Sequence, residues 1–304
     1  MPQSRSTPLI SIVVPSYNYG RYLERTLISI LDQNYPRTQI IVIDGASNDG
    51  TAAVLKSYAS HLDVCISEPD RGQTDAINKG FRHVKGDIFN WLNADDALEA
   101  HSFERIAEAW LHGADLIIGQ CRMVYEREGK SEVPRIYAPC YHSYFDFQST
   151  AGKGFLYQPS VFLSTALAAP CFPLDISLRQ VMDYQFHLRA LRQGPKVRLI
   201  QEPLATFYYH GANMSSSDVP KIPELERVLK QELHAHPPRQ QKSLKRTLSA
   251  ALILADWSSR VSPPSPAAIL GAIAANPALA FRKAVWMLLA RALDPRRRSQ
   301  QQRP

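Results

Sequence analysis

Cysteine is scarce in this sequence, and so are apolar segments long enough to cross a bilayer. Four cysteines occur in 304 residues and no two of them have CxxC spacing, which argues against a zinc site and is typical of a reducing compartment. Residues 1–8 are polar and lack the apolar core of a secretory signal. Residues 278–293 are apolar apart from three charged side chains, and this segment is too short and too polar for a membrane span. These absences predict a cytoplasmic protein.

Basic residues are concentrated towards the C-terminal end. Residues 221–304 contain 15 Lys and Arg against 5 Asp and Glu, a net charge of +10, whereas the other residues contain 20 and 23, a net charge of −3. A nucleic-acid-binding protein needs basic residues on its main body, so no nucleic-acid partner is expected. The segment 265–304 either lies on an anionic membrane surface, peripherally on the inner face of the cell membrane, or packs as a helix on the body of the protein.

Short apolar runs alternate with helical patterns through the first hundred residues. This alternation is typical of βαβ units. We therefore predict an α/β fold with a Rossmann-like, mostly parallel sheet flanked by helices, followed by a helical C-terminal extension. The predicted strands are 9–15, 39–44, 63–67 and the run after Gly86, and the predicted helices are 21–33, 51–61 and 73–84.

The pattern is weaker in the second half of the chain. It predicts helices at 102–112 and 184–192, strands at 115–118, 157–162, 197–200 and 205–209, and a hairpin with arms 121–126 and 132–137. The polar loop 211–217 is predicted to act as a lid that excludes water from a bound ligand.

Polar loops follow the predicted strands at the edge where parallel sheets bind ligands. Ser16 and Tyr17 follow the first strand, Asp44 ends the second, and Asn93–Asp96 follows the fourth. The last segment ends in two adjacent carboxylates, which repel each other unless a cation lies nearby. Because an acidic edge can hold a phosphate group only through a cation, the pattern predicts a divalent metal, Mg²⁺ or Mn²⁺, that carries a phosphorylated ligand.

Four segments, in order and at matching spacing, resemble the signatures of one enzyme family. Ile12–Asn18, Ile43–Thr51 and Asn93–Asp96 resemble the three signatures of family 2 glycosyltransferases with the GT-A fold, and Glu68–Gly80 resembles a further signature of one branch. The resemblance covers residues 9–215. It implies metal-assisted transfer of a sugar from a nucleotide-diphosphate donor, with a UDP-sugar as the first candidate, and with inversion at the anomeric carbon. The implied acceptor is a hydroxyl of a saccharide or lipid-linked molecule, and the implied setting is polysaccharide or glycoconjugate biosynthesis.

The resemblance also implies a division of the chain and a donor site. Residues 1–219 are expected to form the catalytic domain, with a nucleotide-binding half at 1–96 and an acceptor half at 97–219, and residues 220–304 form the basic helical extension. Asp44 is expected to accept a hydrogen bond from the imide of uracil, although it could instead be a turn residue. Arg71 contacts the base or the diphosphate, or is a surface charge. The predicted donor site comprises Pro15, Ser16, Tyr17, Asn18, Asp44, Arg71, Asp75, Asn93 and Asp95.

The same resemblance implies a metal site, a base and an acceptor contact. Asp95, Asp96 and His210 are the expected metal ligands, although this chain has Asn93 where the common form has an acid, and a lone His is often structural. Asp183 matches the general base and could equally cap a helix, and Met182 stands where relatives often have a second acid. The predicted acceptor contacts are Gln158 and Ser160, which could also be ordinary loop residues.

Two other functions are compatible with a doubly wound sheet and an acidic edge. A nucleotidyltransferase usually begins with a glycine-rich, basic phosphate loop, whereas residues 15–21 contain one glycine and one arginine. A non-catalytic binding protein would not need the full set of Asp44, Asp95, Asp96 and Asp183. Both alternatives therefore rank below a glycosyltransferase.

Overall fold

The structure is a computed structural model of the chain. It describes residues 6–127, 130–131, 134–139, 141, 144, 156–211, 213, 221–234 and 264–276, together with 241, 245, 249–250, 253, 257, 285–286 and 289. The described residues up to 213 form one compact unit, and those from 221 onward form a second. The predicted lid, apart from residues 211 and 213, and most of the predicted membrane-binding segment lie outside the described residues.

The first half of the first unit is a set of parallel strands linked by helices. Strand β1 pairs with β2 on one side and β4 on the other, and β2 pairs with β3, all in parallel. Their hydrophobic side chains fill both faces because helices cover the sheet. The elements are β1 (Ile10–Ser16), α1 (Gly20–Leu31), β2 (Thr38–Asp44), α2 (Thr51–Tyr58), β3 (Val64–Ser67), α3 (Gln73–Phe81) and β4 (Ile88–Trp91).

The second half continues the same sheet with mixed pairing. The strand order is β3-β2-β1-β4-β9-β6-β10-β5. Strand β9 pairs antiparallel with both β4 and β6 and so joins the two halves, whereas β10 runs parallel to β6. The remaining elements of this unit are β5 (Ala97–Leu98), α4 (Ser102–Leu111), β6 (Leu116–Arg127), β7 (Lys130–Ser131), β8 (Arg135–Tyr137), β9 (Val161–Ser164), α5 (Thr165–Ala168), α6 (Met182–Arg192) and β10 (Val197–Tyr209).

The predicted α/β class is confirmed, and two strands are longer than predicted. The run 115–118 and the hairpin arm 121–126 are one strand, β6, in which Gly119 permits the close approach of β10: a Cβ on Gly119 would lie 2.3 Å from Cγ of Leu204. Strand β10 likewise spans both 197–200 and 205–209, and register shifts around Pro203 accommodate the proline within it. The other hairpin arm consists of β7 and β8, which pair antiparallel with β6.

Two smaller differences occur around the joined halves of the sheet. Gln158–Ser160 form a 3-10 turn, so that β9 begins only at Val161, because Pro159 cannot donate to the sheet ladder. Sequence patterning also missed β5, whose two residues are too few to have a periodicity.

The second unit is described by two helices and a small apolar cluster. Helix α7 spans Lys221–His234 and α8 spans Pro266–Ala275, whose first turn is capped by Ser265. The cluster consists of Ala250, Trp257, Ile269, Val285 and Leu289. Within the described residues, no helix is both long enough and apolar enough to span a membrane.

Candidate active site

The loops after β1 and β2 are joined by hydrogen bonds. The amide of Gly45 donates to the carbonyl of Ser16 at 2.9 Å, and the amide of Asn18 donates to Oγ of Ser47 at 2.7 Å. Asn18 has a positive φ of 55°, which turns the chain at this point. The buried ends of the two strands, including Pro15, therefore present one continuous polar loop surface at the carboxyl edge of the sheet.

Asp44 lies at the base of this surface and is buried. Its carboxylate accepts hydrogen bonds from the amide and hydroxyl of Ser47 and, at 2.6 Å, from the hydroxyl of Ser67. These contacts are those of a turn residue. A carboxylate has about four lone-pair sites, so they leave acceptor capacity for a ligand.

Tyr17 and Asp70 face each other across Gly45. A Cβ on Gly45 would lie 2.9 Å from Oδ2 of Asp70 and 3.1 Å from the Tyr17 ring, so a larger residue there would require these side chains to shift. The Tyr17 side chain is 59% exposed. An exposed aromatic ring beside a narrow polar loop is a suitable stacking surface for a planar ligand.

Arg71 is directed towards Asp75 at the start of α3. Its Nη2 lies 3.1 Å from Oδ1 of Asp75, and this hydrogen bond is the main reason that the pKa of Asp75 is lowered. Asp75 is buried, whereas the guanidinium of Arg71 is largely exposed. The pair thus fixes one end of the arginine while leaving its outer face open.

The acidic loop separates its two carboxylates. Asp96 is fully buried; it accepts from the amide group of Asn93 at 3.1 Å and from the backbone N–H of Tyr208 at 3.4 Å. Burial, and then the charge of Asp95, raise the pKa of Asp96 well above its ordinary value. Asn93 in turn accepts from Nε2 of Gln73 at 2.6 Å. Asp96 therefore serves the packing of the loop.

Asp95 instead faces the end of β10. Its Oδ2 lies 3.2 Å from Nε2 of His210 and accepts from the side-chain amide of Asn213 at 2.9 Å. The His210 side chain is only 4% exposed, and its ring stacks on that of Tyr22. Asp95 and His210, which are 115 residues apart in sequence, are thus brought together by the fold.

The hard oxygen of Asp95 and the imidazole of His210 are chemically suitable ligands for Mn²⁺ or Mg²⁺. The second ring nitrogen of His210, Nδ1, is buried without a hydrogen-bond partner in the structure. In the described part of the chain, no group of three or more His, Cys, Asp or Glu residues could enclose a metal ion. A metal held here would take its other ligands from water or from a bound phosphate group.

Asp183 lies in the first turn of α6 and is partly exposed. The residue in the N-cap position is Val181, so the capping alternative does not describe Asp183. Its Oδ1 accepts from the backbone N–H of Tyr184 at 2.7 Å. An acid in the first turn of a helix is favoured by the helix dipole.

Gln158 and Ser160 are buried beside β4. Nε2 of Gln158 donates to Oδ1 of Asn90 at 3.0 Å and to the carbonyl of Trp91 at 2.6 Å, and Ser160 is fully buried. The polar atoms of these two side chains are not open to an acceptor in this structure. The contacts of Gln158 are those of a residue that joins the start of β9 to β4. The acceptor role of both residues stays a prediction.

Three residues that contact the site were not assigned a role from sequence. Tyr22 stacks on His210, Gln73 holds Asn93, and Asn213 holds Asp95. Gln73 lies within the Glu68–Gly80 signature and Asn213 within the predicted lid 211–217, and either segment could have drawn attention to them. Tyr22 has no such signal.

The fold is that of a GT-A glycosyltransferase, and comparison with known proteins identifies the family. The model of glycosyl transferase family 2 matches residues 11–170. The chain belongs to this family, as its four segments indicated, and it is a glycosyltransferase.

Relatives with related sequences carry the same class name. An uncharacterized glycosyltransferase of Nostoc sp. is 26% identical over 233 residues, which cover 71% of this chain and 70% of that protein. An uncharacterized glycosyltransferase of Mycobacterium tuberculosis is 30% identical over 197 residues, 61% of this chain and 70% of that protein. The putative teichuronic acid biosynthesis glycosyltransferase TuaG of Bacillus subtilis is 34% identical over 104 residues, 33% and 41% of the two chains.

Solved structures confirm the predicted GT-A fold. The crystal structure of S. aureus TarS 1-349 in complex with UDP-GlcNAc has a TM-score of 0.64 and 17% identity, covering 94% of this chain and 79% of TarS 1-349. The complex of the same protein with UDP has a TM-score of 0.61 and 17% identity, covering 80% and 70%. At this identity the likeness concerns the fold alone.

Proposed function

We propose that this protein transfers a sugar from a nucleotide-diphosphate donor, first of all a UDP-sugar, to an acceptor hydroxyl with inversion at the anomeric carbon. The observation that carries the proposal is the pairing of Asp95 with His210 at the carboxyl edge of the sheet, in a chain of family 2. The acceptor would be a saccharide or a lipid-linked saccharide in polysaccharide or glycoconjugate biosynthesis. The name of one relative, TuaG, places that protein in teichuronic acid biosynthesis.

The donor nucleotide would lie on the loops after β1 and β2. The exposed ring of Tyr17 is available for stacking on a base, and the free acceptor capacity of Asp44 suits an imide N–H. Ser16 has a buried hydroxyl without a hydrogen-bond partner in the structure, so it is a further candidate contact. Arg71, held at one end by Asp75, would turn its exposed face to the base or the diphosphate.

The metal would be held by Asp95 and His210, with Asp96 supporting the loop from inside. Both carboxylates are buried, but Asp95 fits this role because its carboxylate is paired with His210, whereas that of Asp96 accepts from Asn93 and a backbone N–H. When bound, Mg²⁺ or Mn²⁺ supplies positive charge that offsets the charge developing on the departing nucleoside diphosphate.

Asp183 would act as the general base. An inverting displacement requires a group that removes the proton of the acceptor hydroxyl while the new bond forms, opposite the leaving group. Asp183 is partly exposed at the start of a helix, where its Oδ1 accepts from the N–H of Tyr184.

The proposal is tested with the purified full chain and a panel of UDP-, GDP- and dTDP-sugars, with Mn²⁺ and with chelator. We expect metal-dependent turnover of at least one donor, and an inverted anomer when the product is analysed by NMR. Asp183→Asn should lower the transfer rate by about 10²-fold or more while nucleotide binding stays near that of the wild type. No turnover and no nucleotide binding with any donor would contradict the proposal.

The two acids can be separated by matched variants. Asp95→Asn should abolish metal-dependent turnover and weaken Mn²⁺ binding, because it removes the charged ligand. Asp96→Asn should retain Mn²⁺ binding, since its carboxylate is buried away from the polar edge. Asp32→Asn, at an exposed position that ends α1, is the control for the loss of one carboxylate. Weakened Mn²⁺ binding in Asp96→Asn alone would reverse the assignment.

We further propose that the second unit attaches to an anionic membrane surface. Helix α8 consists entirely of apolar residues, yet Ile269 is its one buried residue and Leu270 is 53% exposed. The region 221–304 has a net charge of +10. Apolar exposure next to basic sequence suits a bilayer with acidic headgroups rather than a neutral protein surface.

Vesicle sedimentation tests this attachment. The wild type should bind vesicles with anionic lipid, less at higher salt, and should not bind neutral vesicles. Leu270→Glu should weaken binding, whereas Ile136→Glu, at a matched exposure of 52% on β8, should not. Equal binding of the wild type and Leu270→Glu would contradict the role of α8.

A further inference from the structure

Helix α1 contributes one face to the candidate metal site, although none of the recognised signatures includes this face. Tyr22, Arg25 and Thr26 are three and four residues apart, so their side chains lie on the same side of the helix. Each of them contacts the acidic loop or the end of β10. These two segments contain the proposed metal ligands, Asp95 and His210.

The first contact is a parallel stack between Tyr22 and His210. The ring centroids are 4.2 Å apart and the ring planes are inclined by 13°. Tyr19 approaches the same imidazole by its edge, with centroids 6.2 Å apart. His210 therefore contacts two neighbouring aromatic rings of α1, and its Nε2 is directed at Asp95.

The imidazole lacks the usual means of orientation. In most metal sites the second ring nitrogen donates to a carboxylate, carbonyl or water, and this hydrogen bond fixes the ring. In His210 that nitrogen, Nδ1, is buried and has no hydrogen-bond partner in the structure. The stack with Tyr22 is the contact that can fix the ring plane.

The other two contacts hold the loop against the same helix. Nη2 of Arg25 donates to the carbonyl of Asp95 at 3.2 Å, and its guanidinium lies 3.4 Å from the centre of the Tyr208 ring. Thr26 donates to the carbonyl of Asp96 at 2.7 Å. Helix α1 thus serves as a common support for the backbone of Asp95 and for the strand end that leads to His210.

We propose that Tyr22 is a positioning residue that sets the orientation of the His210 imidazole towards Asp95 by ring stacking. It acts through His210 and needs no contact with the donor. The consequence for metal binding rests on the proposed function, in which Asp95 and His210 hold the donor metal. The orientation itself is a property of the metal-free protein and can be measured separately.

The test compares Tyr22→Phe, which keeps the ring, with Tyr22→Leu and Tyr22→Met, which remove it. In metal-free protein with ¹³C-labelled histidine, the His210 ring signals are assigned by their loss in His210→Gln. Leu or Met at 22 should move these signals downfield, because the ring current of Tyr22 is lost, and should lower the ¹³C relaxation order parameter of the His210 ring, because the ring plane is no longer fixed. Phe should change neither. Tyr58→Leu, on α2, is the control for loss of a partly buried tyrosine, and thermal unfolding identifies any variant that fails to fold.

Mn²⁺ affinity provides the second readout. Loss of the stack should weaken Mn²⁺ binding by about 10-fold, as loss of an orienting partner commonly does, and Tyr22→Phe should bind like the wild type. An unchanged His210 order parameter in folded Tyr22→Leu and Tyr22→Met would overturn the proposal, and so would a lowered order parameter with unchanged Mn²⁺ affinity. A wild type that binds no Mn²⁺ would instead remove the metal from the proposed function, and the order parameter would then decide the orienting role.

Discussion

His187 should make the first unit lose stability in mild acid. It is buried on α6, with its ring parallel to that of Trp91 at a centroid distance of 6.5 Å. Burial lowers the pKa of His187 from 6.5 to about 3. Between these values the unfolded chain binds a proton that the folded chain does not. The stabilising contribution is therefore complete above pH 6.5 and is lost progressively as the pH falls towards 3.

The size of the effect follows from the shift. Each pKa unit corresponds to about 1.4 kcal/mol, so the full shift corresponds to about 5 kcal/mol, reached only below pH 3. Between pH 7 and pH 5 the loss from His187 alone is about 2 kcal/mol. That is a substantial part of the 5–15 kcal/mol, roughly, by which a folded domain is stable.

Guanidinium unfolding at pH 7 and pH 5 measures this contribution. The drop in unfolding free energy between the two pH values should be about 2 kcal/mol smaller in His187→Gln than in the wild type, because glutamine does not titrate. Carboxylates contribute equally to both proteins and cancel. His61→Gln, at an exposed position, should show the same drop as the wild type. An equal drop in His187→Gln and the wild type would refute the reasoning.

Two further predictions concern packing and the acidic loop. In Gly80→Ala the new Cβ would lie 2.4 Å from Cγ1 of Val13, so thermal and guanidinium unfolding should show a loss of about 1–3 kcal/mol; Gly50→Ala, in open space, should change stability by less than about 0.5 kcal/mol. Asn93→Asp replaces the amide that donates to Asp96 by a second carboxylate and should cost about 1–3 kcal/mol. The added carboxylate should raise carboxyl pKa values in the folded state, so the loss of unfolding free energy in Asn93→Asp should grow between pH 5 and pH 8. An equal or smaller loss at pH 8 than at pH 5 would argue against this explanation.

The strands and loops up to Asp96 could be predicted from sequence because each is defined by local pattern. The limits of β1, β2, β3 and α1 agree with the pattern to within two residues. The pattern failed where a glycine, which usually interrupts a strand, lies inside a strand because a residue distant in sequence packs against it. Gly119 lies inside β6 because Leu204 packs against it, and a single sequence gives no indication of such a partner.

In the candidate site, too, local sequence pattern predicted the residues beside strands but not the contacts between residues that are distant in sequence. Asp44 was found because it ends a strand, and Asp95 because it lies in the loop that follows one; both positions are visible in the sequence. The contacts of Asp95 with His210 and Asn213 span 115 and 118 residues, so they depend on the pairing of β10 with β6. The stack of Tyr22 on His210 has the same origin, since an aromatic residue on a helix is more often part of a core.

Asn93 stands where related sequences commonly have an acid, and its contacts give a physical reason for the amide. Its oxygen accepts from Gln73 and its nitrogen donates to the buried carboxyl of Asp96. An ionised carboxylate at this position could accept from Gln73 but could not donate to Asp96. It would also add a third negative charge beside an acid whose pKa is already raised by burial and by Asp95. We interpret the amide as the group that lets Asp96 stay buried in the loop, so that Asp95 alone of these three residues faces His210.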